Sequence, residues 1–244
     1  MNPHPDRTSL DDDVLAGQAV YTDSSLKYYD WLVLKISNRC IWKCPTPRLL
    51  KMYDDCVTTR HLDVGVGTGY FLDRCRFPES ESPPTITLLD LNRASLDAAA
   101  RRIERYSPQT VTANILEPLP LGEARFESIS LNYLLHCIPG DLTEKAVAFN
   151  HLIPFLQPGG IIFGSTLLSQ GVERSFAARK LMRFYNQKGI FHNDRDRLKD
   201  LERALTTRFQ QVQIETIGCA ALFQARDPNP MSTREKLPVV PERE

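Results

Sequence analysis

From Val20 to Ser37 the large apolar residues Leu26, Tyr29, Leu32, Val33 and Ile36 fall at helical spacing, which predicts an amphipathic helix capped by Asp23, Ser24 or Ser25. A second helix is predicted from CPTPRLLKMYDD, with proline in its first turn, where a missing N–H leaves no bond unmade. The pattern then changes. RHLDVGV, TITLLDLN, TVTANILE, FESISLNYLLHCI and GGIIFGSTLL are short apolar runs, and the helical stretches RASLDAAARRIERY and TEKAVAFNHLIPFL lie among them. Short buried strands alternating with helices predict βαβ units and a parallel sheet. Residues 170 to 205 break this rhythm with two consecutive helices, in GVERSFAARKLMRFYNQKGIF and NDRDRLKDLERALTTRF. QVQIETIGCA and AALFQAR then predict an antiparallel hairpin at the end of the sheet. The division expected is a flexible polar segment over 1–14, a helical cap over 15–58, and an α/β domain over 59–226 with an insertion at 170–193. A disordered tail, rich in charge and carrying Pro228, Pro230, Pro238 and Pro241, is expected over 227–244.

Composition narrows the class. A chain of 244 residues with 42% apolar content suits one α/β domain with additions. Lys+Arg and Asp+Glu are equal at 30 each, so no global field favours nucleic acid or an anionic membrane. The first residues, MNPHPDRTSLDDD, lack the apolar stretch of a secretory signal, and no apolar run reaches the length of a membrane span. The 6 cysteines are scattered and are read as reduced thiols, which places the protein in the cytoplasm. Cys40 and Cys44 would share a helical face, but no partner pair of ligands accompanies them and no metal is expected. The sequence assigns no oligomeric state.

The candidate chemistry starts at HLDVGVGTGYFLD, residues 61 to 73. Gly65, Gly67 and Gly69 alternate after a strand, and Asp63 precedes them. Glycine permits a close approach that a Cβ would block, so a ligand can lie on the main chain in the crevice at the carboxyl ends of the strands. The dinucleotide fingerprint G-x-G-x-x-G is not met, because Tyr70 stands where its last glycine belongs. Asp90, closing the ITLLD run, can accept hydrogen bonds from both hydroxyls of a ribose. Asn114 in VTANILEPLP can meet an adenine edge.

In this order, with FESISLNYLLHCIP and a PGG turn ahead of IIFGSTLL, the chain resembles the class I S-adenosylmethionine-dependent methyltransferases over residues 60 to about 170. The resemblance implies a doubly wound, seven-stranded, mostly parallel Rossmann-like sheet with an N-terminal helical cap and a helical insertion before the last helix. It implies S-adenosylmethionine as cofactor, S-adenosylhomocysteine as product, and a small-molecule substrate of specialised metabolism. Carried onto matching positions, Gly65, Gly67 and Gly69 approach the methionine moiety and ribose, and Asp63 accepts from the methionine ammonium. Asp90 with Leu91 holds the ribose, Asn114 with Ile115 the adenine, and Asn132 lies near the methionine moiety.

Methyl transfer from a sulfonium is an in-line displacement, so orientation can do much of the work. A base is needed only when the acceptor arrives protonated. His136, after the fourth strand run and expected on the lip of the crevice, and Tyr21, ahead of the first helix, are the candidates. The pair resembles the tyrosine and histidine that close over substrate in the phosphoethanolamine methyltransferases, and Tyr21 is also expected over the cofactor. In the insertion, Ala177, Leu181, Phe184 and Tyr185 form a stripe flanked by Arg174, Arg179, Lys180, Arg183 and Lys188, read as a core face or as a substrate lid. Trp31, Trp42, Phe191 and His192 could join such a pocket. The strand-four segment reads NYLL, not the [DN]-PP-[YFW] that grips a planar amine. Methylation of a small molecule at O, N or C is the function expected. A same-fold enzyme catalysing cyclisation or elimination, with the cofactor in a structural role, is the alternative; a non-catalytic binding protein and an NAD-dependent oxidoreductase stand behind it.

Overall fold

A computed structural model describes residues 37 to 230. The helix expected over 20–37, with Trp31 and Tyr21, therefore lies outside the described residues save for its last position. A single 7-stranded sheet runs in the order β3-β2-β1-β4-β5-β7-β6. Its strands are β1 (Arg60–Val64), β2 (Thr85–Asp90), β3 (Gln109–Thr112), β4 (Phe126–Asn132), β5 (Leu156–Leu167), β6 (Phe209–Ile217) and β7 (Ala220–Pro228). All pairings from β3 across to β5 are parallel, whereas β7 runs antiparallel to both β5 and β6. The mostly parallel sheet with a terminal hairpin is the architecture the alternation of runs implied. β7 extends to Pro228, so the first residues assigned to the tail belong to the sheet.

Two helical layers sandwich this sheet. One holds α1 (Thr46–Cys56), α2 (Tyr70–Arg74), α3 (Arg93–Arg102) and α6 (Phe176–Gln187); the other holds α4 (Leu142–Lys145), α5 (Val147–Leu152) and α7 (Leu198–Thr206). Strand residues alternate between the two cores: Leu62 and Val64 face one, Ile86 and Leu88 the other, and in β5 Ile162 and Phe163 part company. That alternation follows from the period of a strand. The helix placed in the N-terminal cap, α1, buries Leu49, Met52, Tyr53 and Cys56 and is part of the helical layer. TEKAVAFNHLIPFL forms two short helices and a 3-10 turn instead of one helix, with a capping box at Asp141 and Glu144 starting the first.

Of the stripe read on the insertion helix, Leu181 and Tyr185 pack half-buried against the core, and Ala177 and Phe184 are exposed. Ala178 and Met182 are the buried residues of α6, while Phe176 and Phe184 are exposed. Cys40 is exposed and Cys44 buried. No helix among the described residues is long and apolar enough to cross a membrane.

The insertion is fastened through a buried ion pair. Lys145 of α4 donates to Asp196 Oδ2 at 2.7 Å and to the His192 carbonyl at 2.8 Å, and both charged side chains are fully buried. Burial pushes Asp196 up to about 6 and lowers Lys145, and the contact between them opposes both shifts. Removing one partner strands the other charge. Lys145→Met is therefore expected to cost about 3–5 kcal/mol in urea unfolding, and Lys145→Met/Asp196→Leu to recover most of that loss.

Candidate active site

The strand order reverses between β1 and β4, and a cleft opens there beyond the carboxyl ends of the strands. It is lined on one side by Asp63, Gly65, Gly67 and Asp90, on another by Asn114 and Ile115, and by Asn132 with Leu134 across from them. Leu91 lies among the lining residues as well. Of the residues expected to contact a cofactor, all those described reach this cleft except Gly69.

Gly69 has a different task. It is buried, its φ is +71°, and a Cβ there would sit 3.0 Å from Ala99 Cα on α3. It starts α2 in the left-handed conformation and lets two helices touch, so it serves packing. Gly67, with φ +52°, is the open position: a Cβ built on it meets nothing within 4 Å. The loop's bare surface therefore faces the cleft. Arg102, from α3, braces it by donating to the Thr68 carbonyl and hydroxyl at 2.9 and 2.8 Å.

Two carboxylates flank this floor. Asp63 is only 4% exposed. Burial pushes it up to about 6, against hydrogen bonds from Ser130 and Tyr53 that favour its charge; the nearby Asp90 adds to the rise. Tyr53 donates to Asp63 Oδ1 at 3.0 Å, and Ser130 donates to the same oxygen. Asp90 is likewise pushed up to about 6 by burial, while backbone hydrogen bonds from Asn92, Val66, Gly67 and Leu91 pull it down. Asn92 N–H reaches its Oδ1 at 2.8 Å, and the Asn92 side chain then caps α3. The glycine loop thus hydrogen-bonds to the acid that closes β2. Ser165 donates to Asn132 Oδ1 at 2.5 Å, which fixes that amide. Asn114 Oδ1 accepts from Leu116 N–H at 3.0 Å, holding the turn after β3.

Tyr53, Ser130 and Ser165 were not singled out from the sequence. Tyr53 comes from α1, only 10 residues ahead of Asp63, whereas the serines lie far along the chain and only the register of β4 against its neighbours brings them under the cleft. The period-2 placement of Ser128, Ser130 and Asn132 in FESISLN is the one signal that was available.

His136 was expected on the rim of the crevice, and the structure places it beneath. It is 3% exposed, on the 3-10 turn Leu135–Cys137, with its ring edge-on to Phe191 at 4.5 Å. Its Nδ1 accepts from Leu167 N–H at 3.3 Å, and its carbonyl accepts from His192 N–H at 2.8 Å. Another wall of the cleft is lined by the neighbours Tyr133, Leu134, Cys137, Ile138 and Pro139, with Ile190 from the insertion. Trp42 and Phe191 are both buried behind this wall with ring centroids 6.1 Å apart, and His192 joins it through its backbone. Burial, then the positive Lys145, hold the His136 imidazole down at about 3. An NMR titration is expected to show His136 neutral throughout from pH 8 to pH 5, with no protonation midpoint in that window.

A family model described as a methyltransferase domain matches residues 62–162. The chain is 43% identical over 216 residues to demethylluteothin O-methyltransferase of Streptomyces thioluteus, covering 88% of this chain and 93% of that protein. It is 39% identical over 222 residues to methyltransferase verB of Penicillium polonicum, covering 86% and 97% respectively. Among solved structures, the DhpI–SAH complex aligns over 90% of this chain and 98% of that one with a TM-score of 0.64 and 14% identity, a likeness of fold. With a glycine floor between two strand-end acids and relatives this similar along nearly their whole length, the chain belongs to the class I methyltransferase family.

Proposed function

We propose that the protein transfers the methyl group of S-adenosylmethionine to the oxygen of an acidic hydroxyl on a small, largely apolar organic molecule, which enters as its oxyanion with the proton already lost to solvent. The observation that carries the reading is the placement of Asp63 and Asp90 on either side of the open backbone at Gly67. The residues fit the cofactor: a Cβ-free floor for close approach, one acid for an ammonium, one for a ribose diol, and an amide at Asn114 for an adenine edge. When bound, the cofactor supplies an electrophilic methyl group on a sulfonium, and transfer leaves S-adenosylhomocysteine.

The protein's own groups then divide the work. Asp63 accepts from the ammonium and Asp90 from the ribose hydroxyls, with Leu91 and Ile115 packing against the adenosyl portion. Asn132, held by Ser165, orients the methionine moiety. The wall from Tyr133 to Pro139, with Ile190, receives the acceptor and is mainly apolar. His136 stands behind that wall, and its contacts support a role in holding it; a weak, buried imidazole is ill-matched to removing a proton near neutral pH. A hydroxyl acceptor is favoured by the 43%-identical relative, which is named an O-methyltransferase.

The test is calorimetric titration with S-adenosylmethionine and S-adenosylhomocysteine, with NAD as control, followed by incubation with phenolic and enolic acceptors. Binding of the sulfur cofactors alone and a product heavier by one methylene unit are expected. Cofactor binding with a product of unchanged mass would point to a non-methylating reaction, and no binding would overturn the reading. Asp90→Ala should weaken the cofactor by about 1.5–3 kcal/mol, since it removes hydrogen bonds to a charged group. The raised acids set the pH dependence: both are charged above about 6 and become neutral below it. Cofactor affinity should fall as pH drops from 7 through 6, with protons released on binding near pH 6, read from the dependence of the heat on buffer.

A further inference from the structure

A file of polar groups crosses the interior beneath the cleft. β1 contributes His61 and Asp63 on one face, and β4 sets Ser128 and Ser130 beside them in register. Ser130 Oγ donates to Asp63 Oδ1. His61 Nε2 lies 3.0 Å from Ser130 Oγ, and His61 Nδ1 lies 2.8 Å from Ser128 Oγ. Ser128 Oγ meets Thr58 Oγ1 at 2.7 Å and accepts Thr58 N–H at 3.0 Å. His61, Ser128 and Ser130 have no exposure at all, and Thr58 is half-buried.

Counting protons gives this file a direction. Ser130 has one hydroxyl proton, and the carboxylate takes it. Its oxygen must then accept from His61, which requires the proton on Nε2. Burial keeps the imidazole neutral, with its midpoint down at about 3, so Nδ1 carries no proton and accepts from Ser128. Ser128 in turn accepts from the hydroxyl and the amide of Thr58. Every member donates toward Asp63. The other groups around that carboxylate are Tyr53 from α1, which donates to the same oxygen, the acid Asp90 from β2, and Cys75 just after α2. The ring of His61 is packed by Tyr53 and Phe163.

We infer that His61 is a positioning residue for the cofactor-binding carboxylate: through Ser130 it holds Asp63 Oδ1 as a charged acceptor and leaves Oδ2 to the ligand's ammonium. This rests on the proposed reading of Asp63. Aligned donors stabilise the ionised form, so their loss raises the pH at which the acid takes up a proton. Protonation at Oδ2 needs no change in the file, because Oδ1 goes on accepting.

Two measurements on the cofactor-free protein come first. Imidazole 15N correlation should show His61 neutral and protonated on Nε2 at pH 7. Carboxyl 13C titration should show the Asp63 midpoint raised by about one pH unit in His61→Phe, which keeps the ring volume and loses both nitrogens. His61→Gln retains a donor toward Ser130 and should restore the midpoint. Should His61→Phe not fold, His61→Leu likewise loses both ring nitrogens, leaves the direct Ser130–Asp63 bond in place, and should raise the midpoint in the same sense. The calorimetric counterpart is cofactor affinity that begins to fall at correspondingly higher pH in His61→Phe, with affinity at pH 8.5 close to that of the unaltered protein. An Nδ1–H tautomer, or an unmoved Asp63 midpoint in a folded variant that lacks the His61 ring nitrogens, would overturn the inference. Unchanged affinity in Asp63→Asn would instead sink the assignment of Asp63 to the cofactor, whatever the file does.

Discussion

A carboxylate has to be kept inside this protein. Asp63 closes β1 with almost no exposure, and an isolated charge in that position would be costly. Its neighbourhood is built around the need to solvate it with fixed groups. Tyr53 must come from α1, so that helix packs on the sheet with its hydroxyl aimed at the strand end. Ser130 must face it from β4, which sets the register of the two central strands. The hydroxyl of Ser130 is occupied by the acid, and this places a buried histidine behind it. The switch point between β1 and β4 is therefore more than a gap in the connectivity. There buried polar side chains, His61 and Asp63 with Ser128, Ser130 and Asn132, stand between the apolar cores.

The glycine loop answers a second constraint, and its positions answer it in different ways. Gly67 leaves open space for a ligand, while Gly69 leaves room for α3. The second is as necessary to the site as the first. The approach of α2 to α3 draws Arg102 onto Thr68 and positions the backbone that hydrogen-bonds to Asp90. Packing and binding share the same short turn, so a substitution meant to probe the ligand can act through the helices.

The wall of the cleft from Tyr133 to Pro139 depends on the insertion. Ile190 enters the cleft wall, and the residues just after it are tied to the 3-10 turn through His192 and His136. Lys145 and Asp196 hold that segment down by a charge pair without solvent contact. A buried pair adds little net stability over an apolar one, but it tolerates few alternative arrangements. The segment that supplies Ile190 to the cleft is thereby anchored to α4, on the side of the sheet away from α6.

The sequence alone determined the order of strands and helices, the parallel sheet with its closing hairpin, and the strand-end positions Asp63, Asp90, Asn114 and Asn132. Those are local signals: period, turn residues and the spacing of an acid from a glycine loop need only neighbouring residues to be read. Tertiary structure decided what each group does once it is surrounded. It turned His136 under the wall it was expected to line, because Phe191 and the Leu167 amide close over the ring. It centred the buried face of α6 on Ala178 and Met182, and gave Gly69 to packing. It joined His61, an unremarked residue ahead of the motif, to the acid two positions on through serines far along the chain. Periodicity tells which residues share a face, but the partner opposite depends on register between strands, and that is fixed only when both cores are filled.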